Sequence, residues 1–388
     1  MIIPIVFATD EHYIPYCGVA ISSLIRNCND HDIYKIYVLY DKLKEKDIYR
    51  LENLSAKNVI INCCCVHDHI NNLHVSEYNH LTIASAYRLV IPDILESYDK
   101  VVYLDSDIVV NVDIAELYKY DIGENIIGAI HGYYSGIDNN FLYNHITKTL
   151  GIRIDDFFNA GILLINCKAF REYKVKDKCF DLLRKRKDLY FMDQCAMNIV
   201  CVGKVKFLPI KWNYEWQFLF VLGPKTEKDT IMWETLKEHH SIVHYSGIEK
   251  PWDYPDQLLA DLFWKYARES IFYEEIMQMS LMKKTRDMLD IVSGFTKNRK
   301  IAVYGAGNAG IRYIKKLLTI GIYEIVIWVD QKYKEKENYE FPVSSVDSLY
   351  KSQFDQLVIA IENRAISDEV KKMLIDNGVD KEKIIQIR

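Results

Sequence analysis

Residues 101–110 read VVYLDSDIVV, an apolar run that ends on two aspartates one residue apart. The first four of these residues have the composition of a buried strand. Upstream of them, strand-like runs alternate with helical stretches, with strands expected at IPIVFA (3–8), IYKIYVLY (33–40) and VIINCCCV (59–66). This βαβα rhythm predicts an α/β fold in which helices cover both faces of a parallel sheet.

Length and composition limit the class of function. The 388 residues are enough for two domains, and the net charge of −5 offers no basic surface for nucleic acid. The apolar N-terminus meets Asp10 and Glu11 without a basic segment, so we interpret it as a buried strand and not as a signal peptide. Nine cysteines without a CxxC pair are typical of reduced thiols. We therefore expect a cytoplasmic protein, with the inner face of the membrane as the alternative location.

Asp105 and Asp107 are the residues most informative about function. They end a predicted strand, and ligands of open α/β sheets bind beyond the carboxyl ends of the strands. Two carboxylates one residue apart can hold a hard divalent ion, which can stabilise a nucleotide diphosphate as a leaving group. Asp30 and Asp32 have the same spacing but precede a strand, so we interpret them as part of a solvated turn.

His244 ends another predicted strand, SIVHY at residues 241–245. An imidazole there could complete the ligand set of the aspartates, and a set with nitrogen favours manganese over ions that prefer oxygen alone. Gly247 would let the backbone approach a phosphate, and Lys250 would offset its charge. The alternative is a histidine that makes only a structural hydrogen bond.

Four motifs occur in a fixed order along the first two thirds of the chain: VVYLDSDIVV, FFNAGILLIN, FMDQCAMN and VHYSGIEKPW. Together they closely resemble glycosyltransferase family 8, which includes bacterial lipopolysaccharide galactosyl- and glucosyltransferases and glycogenin. The resemblance spans roughly Met1 to Tyr254. It implies a GT-A nucleotide-diphospho-sugar transferase fold, a UDP-sugar donor, a manganese or magnesium ion, and retention of the anomeric configuration.

The resemblance also implies roles for single residues. Asp105, Asp107 and His244 match the metal ligands of the family, and Asp193 and Gln194 match catalytic residues around the transferred sugar. The other matches are donor contacts: Ala8, Thr9 and Asp10 at uridine, Arg88 near the sugar and diphosphate, Ser106 between the aspartates, Asn159 and Ala160 at the sugar, and Gly247 and Lys250 at the diphosphate.

Two positions depart from the family pattern. His12 falls where the bacterial lipopolysaccharide enzymes often have asparagine, and Gly132 falls where the galactosyltransferases have an aspartate that faces the acceptor. The identity of the acceptor is therefore not transferred to this chain. Structural alternatives also exist for two matched residues, because Asp193 could be the N-cap of a helix and Arg88 could pair with a surface acid.

A second α/β unit starts at residues 300–310, KIAVYGAGNAG. Gly305, Gly307 and Gly310 form GxGxxG between a predicted strand and a predicted helix, and Asp330 ends the next strand. This is the dinucleotide fingerprint in its required context. The unit also resembles small Rossmann-like domains attached to bacterial sugar-modifying enzymes. Its ligand could be a dinucleotide, a nucleotide-sugar or coenzyme A, or it could have none.

We therefore predict a family 8 domain at residues 1–255, a helical connector at 256–297 and a Rossmann-like domain at 298–388. The expected activity is transfer of glucose or galactose from a UDP-sugar to a cell-surface glycan or glycoconjugate. An NAD-dependent oxidoreductase that uses the glycine loop and a non-catalytic sugar-binding protein are the alternatives. The connector could also lie on a membrane surface. Retention could proceed through a covalent intermediate on Asp193, or by attack of the acceptor from the face that UDP leaves.

Overall fold

The computed structural model divides the chain into two units, Met1–Ser280 and Leu281–Arg388. It describes residues 1–71, 83–132, 141–215, 240–247, 249–293, 300–320, 323–335 and 341–387. Within these residues, none of the helices combines the length and the apolar character needed to cross a membrane.

The described part of the first unit has its strands at β1 Ile2–Ala8, β2 Ile33–Tyr40, β3 Val59–Cys65, β4 Lys100–Leu104, β5 Ile108–Val110, β6 Ile127–His131, β7 Phe158–Asn166, β8 Val205–Phe207 and β9 Ile242–His244. Seven of them form one sheet in the order β3-β2-β1-β4-β7-β6-β8, and β5 pairs antiparallel with β9. The predicted α/β class is confirmed. The expectation of a parallel sheet is wrong at β7, which runs antiparallel to β4 and β6. The alternation of strands and helices along the chain does not specify the direction of a strand such as β7, which lies between two strands that precede it in the sequence.

Helices pack on both faces of this sheet. The α-helices described over residues 1–293 are α1 Ile14–Asn27, α2 Glu45–Glu52, α3 His67–Ile70, α4 Ile91–Ile94, α5 Ala115–Tyr118, α6 Phe141–Asn144, α7 Cys167–Glu172, α8 Val175–Lys185, α9 Met192–Cys201, α10 Ala260–Glu269 and α11 Tyr273–Ser293, and a 3₁₀ helix lies at Ile83–Val90. In β1, Ile5 and Phe7 belong to one apolar cluster, whereas Val6 and Ala8 belong to another. Because successive side chains of a strand point to opposite faces, these clusters are the two layers of core.

The strand order places a ligand-binding edge at β1. From β1 the chain first builds β2 and β3 on one side, and then returns to place β4 on the other side. Such a reversal is the switch point at which α/β sheets bind ligands. β1 and β4 are parallel, with Phe7 beside Leu104, so the segments that follow them start at the same edge.

Part of the predicted connector packs on the core of the first unit. Phe263, Trp264 and Phe272 belong to the same apolar cluster as Ile5. The helix α11 then runs past the limit between the two units. The domain limits given above stay a prediction.

The second unit is built on a five-stranded sheet with all strands parallel. Its strands are β10 Lys300–Tyr304, β11 Glu324–Val329, β12 Val343–Ser344, β13 Gln356–Ile359 and β14 Ile384–Gln386, in the order β12-β11-β10-β13-β14, and its helices are α12 Asn308–Ile320, α13 Val346–Leu349 and α14 Arg364–Asp376. The predicted succession of strand, glycine turn, helix and strand is present. Assignment to a dinucleotide-binding fold stays a prediction.

Candidate active site

Most of the site residues predicted for the first unit line one pocket at the carboxyl ends of β1 and β4. Its lining is Ala8, Thr9, Asp10, Tyr13, Ala84, Ser85, Arg88, Tyr103, Asp105, Ser106, Asp107, Asn159, Phe191, Asp193, Gln194, Glu215, His244, Ser246 and Lys250. Two predicted residues, Ala160 and Gly247, are not part of the lining but directly follow residues that are. The side chain of His12 is exposed, and Gly132 follows β6.

Three of the lining residues form a group with the geometry of a metal site. One ligand atom from each of Asp105, Asp107 and His244 lies within 4.8 Å of the others. The Nε2 atom of His244 is 3.2 Å from Asp107 Oδ1 and 3.7 Å from Asp105 Oδ2. The antiparallel pairing of β5 with β9 sets Ile108 opposite His244, which brings the imidazole to the two carboxylates.

The surroundings of this group suit a divalent ion. The Nδ1 atom of His244 is 2.8 Å from Asn213 Oδ1, so Nδ1–H donates to the amide oxygen and Nε2 is the ring nitrogen that faces the carboxylates. At Gly161, a Cβ atom would lie 2.3 Å from His244 Cε1 and 2.8 Å from Asp105 Oδ2, so the space for the group depends on this glycine. Two carboxylates and one imidazole are ligands that manganese accepts.

Replacing Asn213 should weaken metal binding without removing any ligand. Asn213 is fully buried, and Asn213→Leu deletes the acceptor that holds the imidazole in the required tautomer. We expect the affinity for Mn²⁺, measured by electron paramagnetic resonance in the presence of UDP, to fall about 10- to 100-fold. Asn213→Asp keeps an acceptor oxygen and should retain most of the affinity. Equal Mn²⁺ affinity of wild type and Asn213→Leu would contradict this role.

Lys250 and His244 control the charge of Asp107. Lys250 Nζ donates to Asp107 Oδ2 at 2.6 Å and to the carbonyl of Tyr245 at 2.6 Å. Burial opposes ionisation of Asp107, but the two cationic partners outweigh it and lower its pKa. Burial also tends to lower the pKa of His244, whereas Asp107, Glu215 and Asp105 more than offset it and raise that pKa. The pKa of each of these side chains therefore depends on the charges of the others.

Asp105 is held by two neighbours from the opposite side. Tyr103 donates its hydroxyl to Asp105 Oδ1 at 2.6 Å, and Arg88 Nη2 is 3.1 Å from the same oxygen. Burial is the largest influence and raises the pKa of Asp105; Arg88 counteracts it, and Asp107 adds to it. The guanidinium of Arg88 also lies 4.6 Å from the centre of the Tyr103 ring, a cation–π distance.

Arg88 links the metal group to Asp193. Its Nε is 3.0 Å from Asp193 Oδ2, and its Nη1 donates to the carbonyl of Ala160. Burial tends to lower the pKa of Arg88, but Asp105, Tyr103 and Asp193 raise it, so the guanidinium stays charged. The surface ion pair considered for Arg88 is therefore wrong, since its side chain is only 6% exposed.

Asp193 lies inside the first turn of α9, whose N-cap residue is Phe191. The N-cap role considered for Asp193 is wrong, because its carboxylate accepts the hydroxyl of Ser85 at 2.5 Å and pairs with Arg88. The next residue, Gln194, accepts the backbone N–H of Ala160 with its Oε1 at 2.9 Å. The start of α9 is therefore tied to both the 3₁₀ helix and β7.

Asn159 brings a further carboxylate into the site. Its Nδ2 donates to Glu215 Oε1 at 2.9 Å, and its Oδ1 accepts the backbone N–H of Gly161. Glu215 is 1% exposed, and this burial raises its pKa. Glu215 was not predicted from the sequence.

The other residues that sequence reasoning missed fall into two groups. Tyr103 and Ser85 could have been found, since Tyr103 shares a strand face with Asp105 and Ser85 precedes Arg88 by three residues. Asn213 and Glu215 carry no such signal, because the fold alone brings residues 213–215 beside β9. Asp30 and Asp32 lie in the loop before β2, where Asp32 pairs with the N-terminal amine.

In the second unit, the three glycines after β10 differ in whether the local structure requires a glycine at that position. Gly305 has a φ of +103°, which favours glycine, and a Cβ at Gly310 would lie 1.9 Å from the carbonyl oxygen of Gly305. A Cβ at Gly307 would meet no atom within 4 Å. Asp330 accepts the backbone N–H of Ala306 at 2.6 Å, so the predicted acid lies at the turn. The packing of this unit requires two of the glycines but not Gly307.

Residues 4–256 match the family model described as "Glycosyl transferase family 8", and residues 297–385 match "C2185-like, N-terminal". General stress protein A of Bacillus subtilis (strain 168) is 28% identical over 259 residues, which are 65% of this chain and 88% of that protein. The lipopolysaccharide 1,3-galactosyltransferase of Salmonella typhimurium is 25% identical over 258 residues, 64% of this chain and 72% of that protein.

A solved structure is similar as well. The structure of WbbM, described as a bifunctional glycosyltransferase, aligns with a TM-score of 0.62 and 27% identity. The alignment covers 72% of this chain and 52% of WbbM, so the chain spans about half the length of that protein.

Proposed function

The chain belongs to glycosyltransferase family 8, and we propose that it transfers a hexose, glucose or galactose, from a UDP-sugar to a glycan with retention of configuration. The observation that carries the proposal is the group of Asp105, Asp107 and His244 in a pocket that also contains the Arg88–Asp193 pair. A relative that acts on lipopolysaccharide supports a cell-surface glycan as the acceptor.

We assign the nucleotide to the edge of the pocket that follows β1. Ala8, Thr9 and Asp10 line this edge, and Tyr13 presents a further ring to the pocket. Trp252 contacts Tyr13 edge-on with 6.1 Å between ring centres, and so supports its position. A planar base would fit against such a ring.

We assign a manganese or magnesium ion to Asp105, Asp107 and His244. The ion would offset the charge of the diphosphate as it leaves. Lys250 places its ammonium group at the carboxylate of Asp107 and would offset further charge of the diphosphate. The backbone at Gly247 would lie close to the phosphates. These cationic groups would stabilise the negative charge of UDP as it leaves the sugar.

We assign the transferred sugar to Asn159, Ala160, Asp193 and Gln194. Departure of UDP builds positive charge at the anomeric carbon, and the Asp193 carboxylate can stabilise this charge electrostatically. Ser85 and Arg88 engage the two oxygens of Asp193, which makes the carboxylate a weaker nucleophile. We therefore favour attack by the acceptor from the face that UDP leaves over a covalent intermediate on Asp193.

Donor hydrolysis tests the proposal without knowledge of the acceptor. Wild-type protein should release UDP from UDP-glucose or UDP-galactose in the presence of Mn²⁺, and chelation by EDTA should abolish the release because the diphosphate charge is then uncompensated. Released UDP is measured by a coupled assay across a panel of UDP-sugars. Should no UDP-sugar be bound or hydrolysed under any metal condition, the proposal is wrong, and a non-catalytic sugar-binding protein becomes the better account.

For the glycine turn of the second unit, we propose a phosphate-containing ligand. Gly307→Trp fills space that is open in the structure, so it should obstruct such a ligand without unfolding the unit. We expect the variant to keep UDP-sugar hydrolysis and to lose any binding of NAD(H), UDP-sugar or coenzyme A that calorimetry detects in wild type. Redox turnover lost on this substitution, with hydrolysis never detectable in wild type, would support the oxidoreductase alternative.

A further inference from the structure

An aromatic surface continues outward from the candidate active site. Phe191 lines the pocket, and its ring centre is 4.9 Å from that of Tyr190, which in turn is 5.0 Å from that of Phe141. Both contacts are edge-to-face, a favourable geometry for aromatic pairs. The side of this row that faces solvent is large, since Phe141 is 62% and Tyr190 is 37% exposed. We call Phe141, Tyr190 and Phe191 the aromatic strip.

The strip packs against the ring of a histidine. The ring of His145 lies 6.0 Å from the rings of both Phe141 and Tyr190, and its Nε2 accepts the backbone N–H of Tyr190 at 3.4 Å. His145 is buried, and this burial lowers its pKa. Rings that contact neighbouring side chains lose less conformational freedom on ligand binding than isolated rings do.

The position of the strip relates it to the reaction. Phe191 immediately precedes the segment that carries Asp193 and Gln194, to which we assign the transferred sugar. An acceptor has to reach the anomeric carbon of that sugar, so the part of the acceptor nearest the reaction centre must lie beside this segment. The remainder of an acceptor longer than one sugar would then extend along the neighbouring surface.

We propose that the aromatic strip is an acceptor subsite that stacks against an uncharged sugar ring of a glycan, an inference that rests on the function proposed above. Sugar rings have apolar C–H faces, and flat aromatic faces exclude water from them while leaving the hydroxyl groups in solvent. Before the strip in the chain, Arg186 and Asp188 pair with each other at 2.6 Å, and the exposed Lys187 lies between them. The three rings themselves carry no charge, so the strip favours the apolar face of a saccharide over a phosphate or carboxylate group.

Disaccharide binding tests the proposal without donor. Methyl lactoside, maltose and cellobiose serve as probes in saturation-transfer NMR with the full chain, and 1-hexanol serves as an apolar control. We expect at least one disaccharide to bind wild type, and Phe141→Ala and Tyr190→Ala each to raise its Kd about tenfold. Phe141→Tyr and Tyr190→Phe keep the rings and should stay within about twofold of wild type. Tyr49→Ala removes a tyrosine that is 68% exposed on α2 and should bind as wild type does.

The same variants are then compared in transfer. With UDP-glucose or UDP-galactose and the disaccharide that binds best, the ratio of transfer to hydrolysis should fall in both alanine variants and not in Tyr49→Ala. The proposal is overturned if wild type binds no disaccharide or if hexanol binds in place of the sugars. It is also overturned if the alanine variants have the same disaccharide Kd and the same ratio of transfer to hydrolysis as wild type. Absence of donor hydrolysis in wild type would instead count against the proposed function, since sugar binding is measured without donor.

Discussion

Asp105→Asn and Asp107→Asn are each expected to lower Mn²⁺-dependent hydrolysis of the UDP-sugar by about a thousandfold or more. Each substitution removes one negative ligand from a group whose atoms lie within 4.8 Å of one another. Initial rates of UDP release over a series of Mn²⁺ concentrations measure the effect, and isothermal calorimetry measures the accompanying loss of metal affinity. The fold should persist, because each amide occupies the volume of the carboxylate that it replaces, Arg88 keeps Asp193 as a partner, and Lys250 keeps the carbonyl of Tyr245.

Asp30→Asn is the matched control. It changes an aspartate with the same DxD spacing that lies in the exposed loop before β2, so its hydrolysis rate should equal that of wild type. If all three variants lose activity to the same extent, the loss reflects folding and not metal binding. Full activity of Asp107→Asn would remove the proposed metal site.

Arg88→Met should have the second large effect, on both stability and rate. The substitution leaves the carboxylates of Asp105 and Asp193 without their common cation in a site where Arg88 is 5% exposed. Breaking a buried ion pair from one side costs about 3–5 kcal/mol, because the remaining charge is buried and uncompensated. We expect a lower Tm by calorimetry, and a loss of donor hydrolysis that persists at temperatures where the variant is folded.

A second substitution separates the two effects of Arg88. In Arg88→Met/Asp193→Asn one of the uncompensated charges is gone, so part of the lost stability should return while hydrolysis stays absent. Arg153→Met, in which the arginine side chain is 78% exposed, should change neither Tm nor rate. An Arg88→Met variant as stable as wild type would show that the buried pairs do not hold this part of the fold.

The family resemblance inferred from four motifs is confirmed by the family match over residues 4–256. The motifs were informative because each has a local meaning: the DSD triplet directly follows a strand, and the glycine of NAG lies inside one. Residues from separate motifs meet in one pocket because β1, β4, β7 and β9 approach the same edge of the fold.

The alternatives considered for Asp193 and Arg88 failed for a common reason. N-cap preference and surface pairing are inferred from near neighbours in the chain, whereas Asp193 and Arg88 pair with each other from elements 105 residues apart. Burial then decides their role, because removing the partner of a buried charge costs far more free energy than removing the partner of a surface charge.

By itself the sequence determined the α/β class, the family, the strand-end aspartates and the histidine, because periodicity and short motifs express local backbone preferences and local chemistry. Only the tertiary structure decided the direction of β7, the support of His244 by Asn213, the buried Glu215 beside Asn159, and the row of rings from Phe191 to Phe141. These features join residues that are remote along the chain. Their contacts depend on which faces the sheet buries together, and no local pattern of residues specifies that.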